Sequence, residues 1–269
     1  MEHITQTTQR VYTICRRAES HKDNCEDSFF TLDHKSMFIC GVFDGCSTGV
    51  NSHFASALLA ECMRKAFDSS YKIGAVLYEL NSYDPSGLME FIDSCMMMAS
   101  LQFNSIRVAL SLPELNCLST ACIAVYHKES KKLFYKFLGD GSIFYRNSAK
   151  TPILHASRVQ FEGNAPDYLA YHLNTPDLLQ WIEKQEGRCI DDITDFCLCT
   201  DGIDSGRYIV KPETGIVNEQ KAPIHYLLQD TYLSASVKML QRKVNILKTT
   251  HHYIFDDDLT IIRYENGTD

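Results

Sequence analysis

Five short segments of the sequence carry carboxylates beside apolar runs of the kind that form buried strands. They are Glu26-Asp27, Asp44-Gly45, Gly139-Asp140-Gly141, Asp201-Gly202 and Asp256-Asp257-Asp258. Side chains at the ends of different strands can converge, and converging carboxylates repel one another unless protons or cations neutralise them. Mg²⁺ and Mn²⁺ favour such oxygen ligands, whereas zinc sites use histidine and cysteine more often. Asp-Gly is also a common turn dipeptide, so five unrelated surface turns are the alternative. The recurrence favours one shared magnesium or manganese site.

A shared site of this kind has a definite chemistry. Two such ions about 3.5–4 Å apart lower the pKa of a bridging water and hold the oxygens of a phosphoryl group. The sequence contains no Cys-X5-Arg loop of the type used by cysteine phosphatases. If the carboxylates share one site with two such ions, that site would be hydrolytic and suited to a phosphoryl group.

The elements that position these carboxylates come in groups of strands separated by long helices. Strands are predicted over 9–15, 28–32, 37–43, 118–127, 132–138, 142–146, 194–199 and 259–264, and helices over 52–68, 88–108, 178–184 and 222–247. The three strands between 118 and 146 are predicted to form one antiparallel meander. Because strands and helices do not alternate regularly, the pattern favours an α+β layered sandwich over a doubly wound sheet.

Composition narrows the classes of protein. The 269 residues suit one large domain or two small ones, and no linker marks a boundary. The net charge of −8 and the lack of a basic cluster argue against a nucleic-acid partner. We expect neither a membrane span nor a secretory signal, and hence a cytoplasmic protein. The eleven cysteines include no CxxC pair, which argues against a zinc site or a disulfide framework and favours reduced thiols.

Six motifs in order resemble the metal-dependent type 2C protein Ser/Thr phosphatase family, in particular a divergent bacterial branch of it. They are Asn24-Cys25-Glu26-Asp27-Ser28, Val42-Phe43-Asp44-Gly45, Leu118-Ser119-Thr120-Ala121, Leu138-Gly139-Asp140-Gly141, Cys199-Thr200-Asp201-Gly202-Ile203 and Asp257-Asp258-Leu259-Thr260. The resemblance implies one catalytic domain over 1–269, folded as a four-layer α-β-β-α sandwich of two antiparallel sheets flanked by helices. It also implies two Mn²⁺ or Mg²⁺ ions, with a third, weaker site, and a phosphoprotein substrate made by an opposing Ser/Thr kinase. The implied reaction is direct attack of a metal-bound hydroxide on phosphorus.

The resemblance also assigns the two main metal ions to residues. Asp44 resembles the aspartate that bridges both ions, and the carbonyl of Gly45 resembles a further ligand. Asp201 and Asp257 resemble the carboxylates of the second ion. Asp44, Asp201 and Asp257 are therefore expected to act in catalysis through metal-bound water.

Four more carboxylates are assigned around this pair of ions. Asp27 resembles the acid of the first motif, which supports the ions directly or through water, and Glu26 adds to that shell. Asp140 and Asp204 resemble ligands of the third ion, although Asp204 lies one residue nearer Asp201 than its counterpart in animal relatives.

Two positions depart from the family pattern. Cys46 stands where animal relatives carry a histidine proposed as the general acid, so the group that protonates the leaving group is unassigned. A packing role for Cys46 is favoured over a nucleophilic one. Asp258 replaces the common asparagine of the last motif, which adds a negative charge beside the site.

The phosphate-binding cation has no secure counterpart in the sequence. Arg17, His21 and Lys22 are the candidates, and each is equally well explained as a solvated surface charge. Two other functions stay open: a catalytically silent phosphatase-like regulatory or binding module, and a hydrolase of a small phosphorylated metabolite.

Overall fold

The computed structural model describes residues 9–21, 23–49, 52–77, 85–147, 155–159, 166–209 and 223–266. Its strands are β1 (Gln9–Arg16), β2 (Ser28–Asp33), β3 (Met37–Phe43), β4 (Ala121–His127), β5 (Lys132–Leu138), β6 (Gly141–Asn147), β7 (His155–Val159), β8 (Gly187–Ile190), β9 (Ile193–Cys199), β10 (Gly206–Tyr208), β11 (Tyr253–Phe255) and β12 (Leu259–Asn266). Its α-helices are α1 (Ser52–Leu77), α2 (Pro85–Ala109), α3 (Leu178–Lys184), α4 (Pro223–Leu228) and α5 (Met239–His251). Within these ranges, no helix combines the length and the apolar character needed to cross a membrane.

Two five-stranded antiparallel sheets form the centre of the fold. One has the strand order β1-β12-β9-β6-β7 and the other β2-β3-β4-β5-β8, with a small β10-β11 ribbon beside them. Helices α1 to α3 pack outside the second sheet, and α4 and α5 pack outside the first. The predicted α-β-β-α sandwich is therefore confirmed.

Strand β3 shows why an unbroken apolar run forms the middle of this sandwich. All seven of its residues are buried. Ile39 and Phe43 pack with the helices, while Phe38 and Val42 pack between the sheets. A strand covered on both faces has no solvent side, so its sequence does not alternate with polar residues.

The predicted meander between 118 and 146 is wrong in its third strand. β4 and β5 form the expected hairpin, but β6 pairs with β7 and β9 of the other sheet. The chain changes sheets at Gly139 and Gly141, whose φ angles of +90° and +148° are ones that residues with a side chain rarely adopt. A Cβ on Gly141 would also lie 2.2 Å from the Cys122 Sγ atom.

The predicted helix over 222–247 is also wrong, because the chain forms two helices, α4 and α5, with turns between them. Two buried basic side chains donate hydrogen bonds to backbone carbonyls at the end of α4. Arg263 Nη1 donates to Leu227 O at 2.9 Å, and Lys243 Nζ donates to Tyr226 O at 2.7 Å. These carbonyls are the ones that a continuing helix would use, so the buried cations favour its end at this point.

Candidate metal centre

Both sheets bring carboxylates to one end of the sandwich. The β2-β3-β4-β5-β8 sheet contributes Asp27, which lies before β2, and Asp44, which lies after β3. From the other sheet come Asp201, which begins a 3₁₀ turn after β9, and Asp257, two residues before β12. Asp140 lies where the chain passes from one sheet to the other. The carboxylates thus meet at the seam between the sheets.

Asp27 has a buried carboxylate that the surrounding protein satisfies only in part. Its Oδ2 atom accepts a hydrogen bond from Thr200 Oγ1 at 2.8 Å, across the seam between the sheets. Its Oδ1 atom is buried and has no hydrogen-bond partner among the residues described. A buried carboxylate oxygen without a donor is costly, and a cation would satisfy it.

The carboxylates perturb one another as close neighbours do. Burial, followed by repulsion from Asp27, Asp201 and Asp257, raises the pKa of Asp44 well above its usual range. Burial, followed by repulsion from Asp140 and Asp257, raises the pKa of Asp201 to about 7. Burial also raises the pKa values of Asp140 and Asp257. Divalent cations would relieve this repulsion, so the donor set fits a hard metal ion.

The carboxylates nevertheless do not form a closed ligand shell here. Across the described ranges, no group of three Asp, Glu, His or Cys side chains lies close enough together to hold a metal ion. The residues are electrostatic neighbours, and an ion would have to draw them closer.

Backbone contacts position Asp44 and the residues around it. Asp44 N donates to Thr120 Oγ1 at 3.1 Å, and Thr120 N donates to Asp44 O at 2.8 Å. Gly45 N donates to the carbonyl of Glu26 at 3.1 Å. The carboxylate of Glu26 accepts a hydrogen bond from Ser47 Oγ at 2.6 Å. Hydrogen bonds to Thr120 and to the Glu26 backbone therefore fix the position of the Asp44-Gly45 backbone. The Glu26 side chain is hydrogen bonded to Ser47.

Asp204 is paired with a residue that sequence reasoning missed. Arg158 Nη2 in β7 lies 3.1 Å from Asp204 Oδ1, and its guanidinium also lies 5.2 Å from the centre of the Phe144 ring. This ion pair competes with the predicted role of Asp204 as a ligand. Residues 147–192 show too little periodicity for the sequence to have indicated Arg158.

The three predicted phosphate-binding residues are placed unequally. Arg17 donates to the carbonyl of Asp23 at 3.0 Å. His21 faces the carboxylates of the last motif, with its Nδ1 atom 2.9 Å from Asp258 Oδ1 and its Nε2 atom 3.8 Å from Asp257 Oδ1. Lys22 lies outside the described residues.

Asp258 is a structural bridge rather than an extra surface charge. It is 1% exposed, and its Oδ1 atom accepts a hydrogen bond from Ala18 N at 2.6 Å while Oδ2 accepts one from Glu26 N. Gly202 packs against the same turn, and a Cβ there would lie 1.7 Å from Asp258 O. The Asp258 carboxylate and the close packing of Gly202 therefore hold together the segments around residues 18–27, 201–202 and 257–258.

Tyr168 is a second residue that sequence reasoning missed. It is 8% exposed, follows the loop signal at Pro166, and lies near the thiol of Cys46. Burial, followed by its interaction with that thiol, raises the pKa of Tyr168 above its usual range, with Asp44 and Asp140 nearby. A protonated phenol thus lies beside the carboxylates.

Comparisons with known proteins agree with the fold. The sequence model of the family described as "Protein phosphatase 2C" matches residues 16–244. RsbX in complex with magnesium is 15% identical, with a TM-score of 0.54 over 96% of each chain. A bacterial serine phosphatase is 12% identical, with a TM-score of 0.56 over 97% of this chain and 99% of that chain. A structure of SpoIIE from Bacillus subtilis that holds the phosphatase domain and a fragment of the regulatory domain is 15% identical, with a TM-score of 0.55 over 97% of this chain and 64% of that chain. No curated protein matches the sequence.

Proposed function

The chain belongs to the protein phosphatase 2C family, and from this premise we propose that it is a metal-dependent phosphatase of phosphoserine or phosphothreonine in proteins. The observation that carries the proposal is the proximity of the buried Asp27 carboxylate to the partly exposed carboxylate of Asp44, with Asp201 and Asp257 approaching from the opposite sheet. Such an array is costly unless it serves to bind cations. The cofactor is Mn²⁺ or Mg²⁺, and the partner is a phosphoprotein that a Ser/Thr kinase produces.

Asp27, Asp44, Asp201 and Asp257, with the Gly45 carbonyl, are the proposed ligands of two ions. Bound there, the ions would neutralise the carboxylates, polarise phosphoryl oxygens and activate a water. We assign a third, weaker site to Asp140 and Asp204, with Glu26 in the surrounding shell.

The remaining work falls to protein groups. Thr200 donates a hydrogen bond to one oxygen of Asp27, and the other oxygen, which has no hydrogen-bond partner among the described residues, would be available to an ion. Tyr168 Oη carries a proton beside Cys46, and we propose that it protonates the leaving oxygen of the substrate. The eleven cysteines are all free, which suits a protein of a reducing compartment such as the cytoplasm.

The test is hydrolysis of p-nitrophenyl phosphate with Mn²⁺ by wild type and by Asp44→Asn. We expect the variant to lose at least about a hundredfold in rate, since it removes the proposed bridging ligand. Asp191→Asn is the matched control, because Asp191 is 73% exposed and pairs with Lys132 on the surface. An Asp44→Asn variant as active as wild type would overturn the ligand assignment.

A catalytically silent binding module is the second candidate, favoured by the lack of a closed ligand shell among the described side chains. Wild type without activity in any divalent metal would establish it. A panel of phosphopeptides beside small phosphorylated metabolites then separates a protein phosphatase from a metabolite hydrolase. The extent of the single domain over 1–269 stays a prediction.

A further inference from the structure

Two cysteines face each other where the chain crosses from one sheet to the other. Cys15 is the penultimate residue of β1, an edge strand of the first sheet. Cys25 comes three residues before β2, an edge strand of the second sheet. Their Sγ atoms lie 3.6 Å apart, so the two sulfurs are in contact across the seam of the sandwich.

The strand register explains why Cys15 points toward this seam. Tyr12 and Ile14 are buried against the helices outside the first sheet, so alternate residues of β1, Cys15 among them, face the opposite way. Cys15 pairs with Thr260 in β12, and its thiol lies 3.6 Å from the carbonyl of Asp27. The pair is therefore adjacent to the candidate metal centre without belonging to its ligands.

Solvent can reach this pair. Cys15 is exposed and Cys25 is partly exposed, whereas seven of the eleven cysteines are buried. The other accessible thiols, Cys46 and Cys189, lie elsewhere: Cys46 contacts Thr48 Oγ1 at 3.0 Å, and Cys189 lies in β8 of the second sheet. An oxidant in solution can therefore reach Cys15, whose thiol is already in contact with the thiol of Cys25.

We propose that Cys15 and Cys25 are a site of reversible oxidation, in which a peroxide converts them to a disulfide that ties β1 to the start of β2. One thiol attacks the peroxide, so that its sulfur gains oxygen as a sulfenic acid and one water leaves. The second thiol attacks that sulfur, the S–S bond forms and a second water leaves. In total, two thiols and one hydrogen peroxide give one disulfide and two waters.

Oxidation at this place acts on the metal centre through the backbone. A disulfide is about 2.05 Å long, so the sulfurs must approach by about 1.5 Å, and Cys25 lies only two residues before Asp27. A shift of about 1 Å in catalytic geometry can cost a hundredfold in rate. We expect the oxidised protein to lose at least about tenfold in phosphatase rate, a consequence that rests on the proposed function.

The covalent step is tested on the full chain with hydrogen peroxide in chelator, followed by alkylation of remaining thiols and peptide mass spectrometry. We expect one cross-linked species that joins the peptides of Cys15 and Cys25, lighter by two hydrogens than the reduced pair. Dithiothreitol should restore both alkylatable thiols. Cys189→Ser is the matched control and should cross-link like wild type. The proposal is overturned if Cys189 is oxidised while Cys15 and Cys25 stay unlinked, or if either one links to a different cysteine.

The effect on activity is read separately, after the peroxide has been removed. Wild type should lose activity and regain it with dithiothreitol, while Cys15→Ser should keep its activity through the same treatment. Equal loss in Cys15→Ser, or cross-linking of wild type without loss of rate, overturns the effect on catalysis. A wild type that is inactive before oxidation instead refutes the proposed function, and mass spectrometry still decides the cross-link.

Discussion

Replacing Asp201 with asparagine should stabilise the metal-free protein. The folded protein raises the pKa of this carboxyl from 3.8 to about 7, through burial and then through repulsion from Asp140 and Asp257. At pH 7.5 Asp201 ionises in the unfolded chain without cost. In the folded protein its ionisation costs free energy, because the site is partly buried and the neighbouring carboxylates repel the charge. The shift corresponds to a ceiling of about 4 kcal/mol in the free energy of unfolding.

The gain expected from Asp201→Asn is smaller than this ceiling. Asp201 is only partly buried, and water screens part of the repulsion, so we expect about 2 kcal/mol. In a protein of 269 residues that raises the thermal midpoint by roughly 3–4 °C. Asparagine keeps an oxygen that can accept the hydrogen bond from the Gly202 backbone.

The pH dependence gives the sign of the effect. A carboxyl whose folded pKa is raised contributes most to stability below about pH 4, and that contribution is lost as the pH rises toward 7. The difference between Asp201→Asn and wild type should therefore be small near pH 4, grow up to about pH 7 and stay constant above it. Mn²⁺ should reverse the order at pH 7.5, because the ion stabilises wild type more than the variant.

Thermal unfolding in chelator and in Mn²⁺, between pH 4 and pH 8.5, measures both effects. Asp191→Asn is again the control and should show neither the gain nor the pH dependence. If Asp201→Asn is less stable than wild type in chelator at pH 7.5, repulsion among the carboxylates does not destabilise the metal-free protein.

Two further substitutions test other parts of the site. Asp258→Asn leaves one acceptor oxygen for the amides of Ala18 and Glu26, so urea denaturation should show a loss of about 1–3 kcal/mol, and an unchanged midpoint would contradict the bridge. Tyr168→Phe should lower kcat at least about tenfold on phenyl phosphate, whose leaving group needs a proton, but little on p-nitrophenyl phosphate. An equal loss on both substrates would exclude Tyr168 Oη as the proton donor, and Cys46→Ala is the control for lost packing.

The grouping of strands and helices predicted a layered α+β fold, and the family resemblance supplied its four-layer arrangement. The all-apolar run of β3 follows from burial on both faces, whereas Asp44-Gly45 forms no turn, because Gly45 pairs with Ser119 in an isolated antiparallel bridge. The errors came from interactions that no local pattern records. β6 leaves its neighbours for the other sheet at Gly139 and Gly141, although a short turn between apolar runs also suits a hairpin. The helix predicted after residue 222 is broken by Arg263, which lies in a strand 36 residues from the carbonyl of Leu227 that it binds.

The candidate site was predictable in kind but not in detail. Acidic turns at strand ends indicated which carboxylates could converge, and their roles as ligands stay predictions. Arg158 and Tyr168 come from a stretch with little periodicity, and only the packing of distant elements brings them to the site. The sequence showed Asp258 only as an added charge, whereas in the structure each of its carboxylate oxygens accepts a hydrogen bond from a backbone amide.

The contacts at the seam between the sheets join residues that are made at very different times during synthesis. β1 pairs with β12, and the amide of Ala18 waits for Asp258, 240 residues further along the chain. At the usual pace of a ribosome this gap lasts roughly 12–50 s. Asp27 and Asp44 are made early, whereas Asp201 and Asp257 follow Asp44 only 157 and 213 residues later. The repulsion among the four therefore develops only after both sheets have contributed their carboxylates, when dissolved divalent ions can offset it.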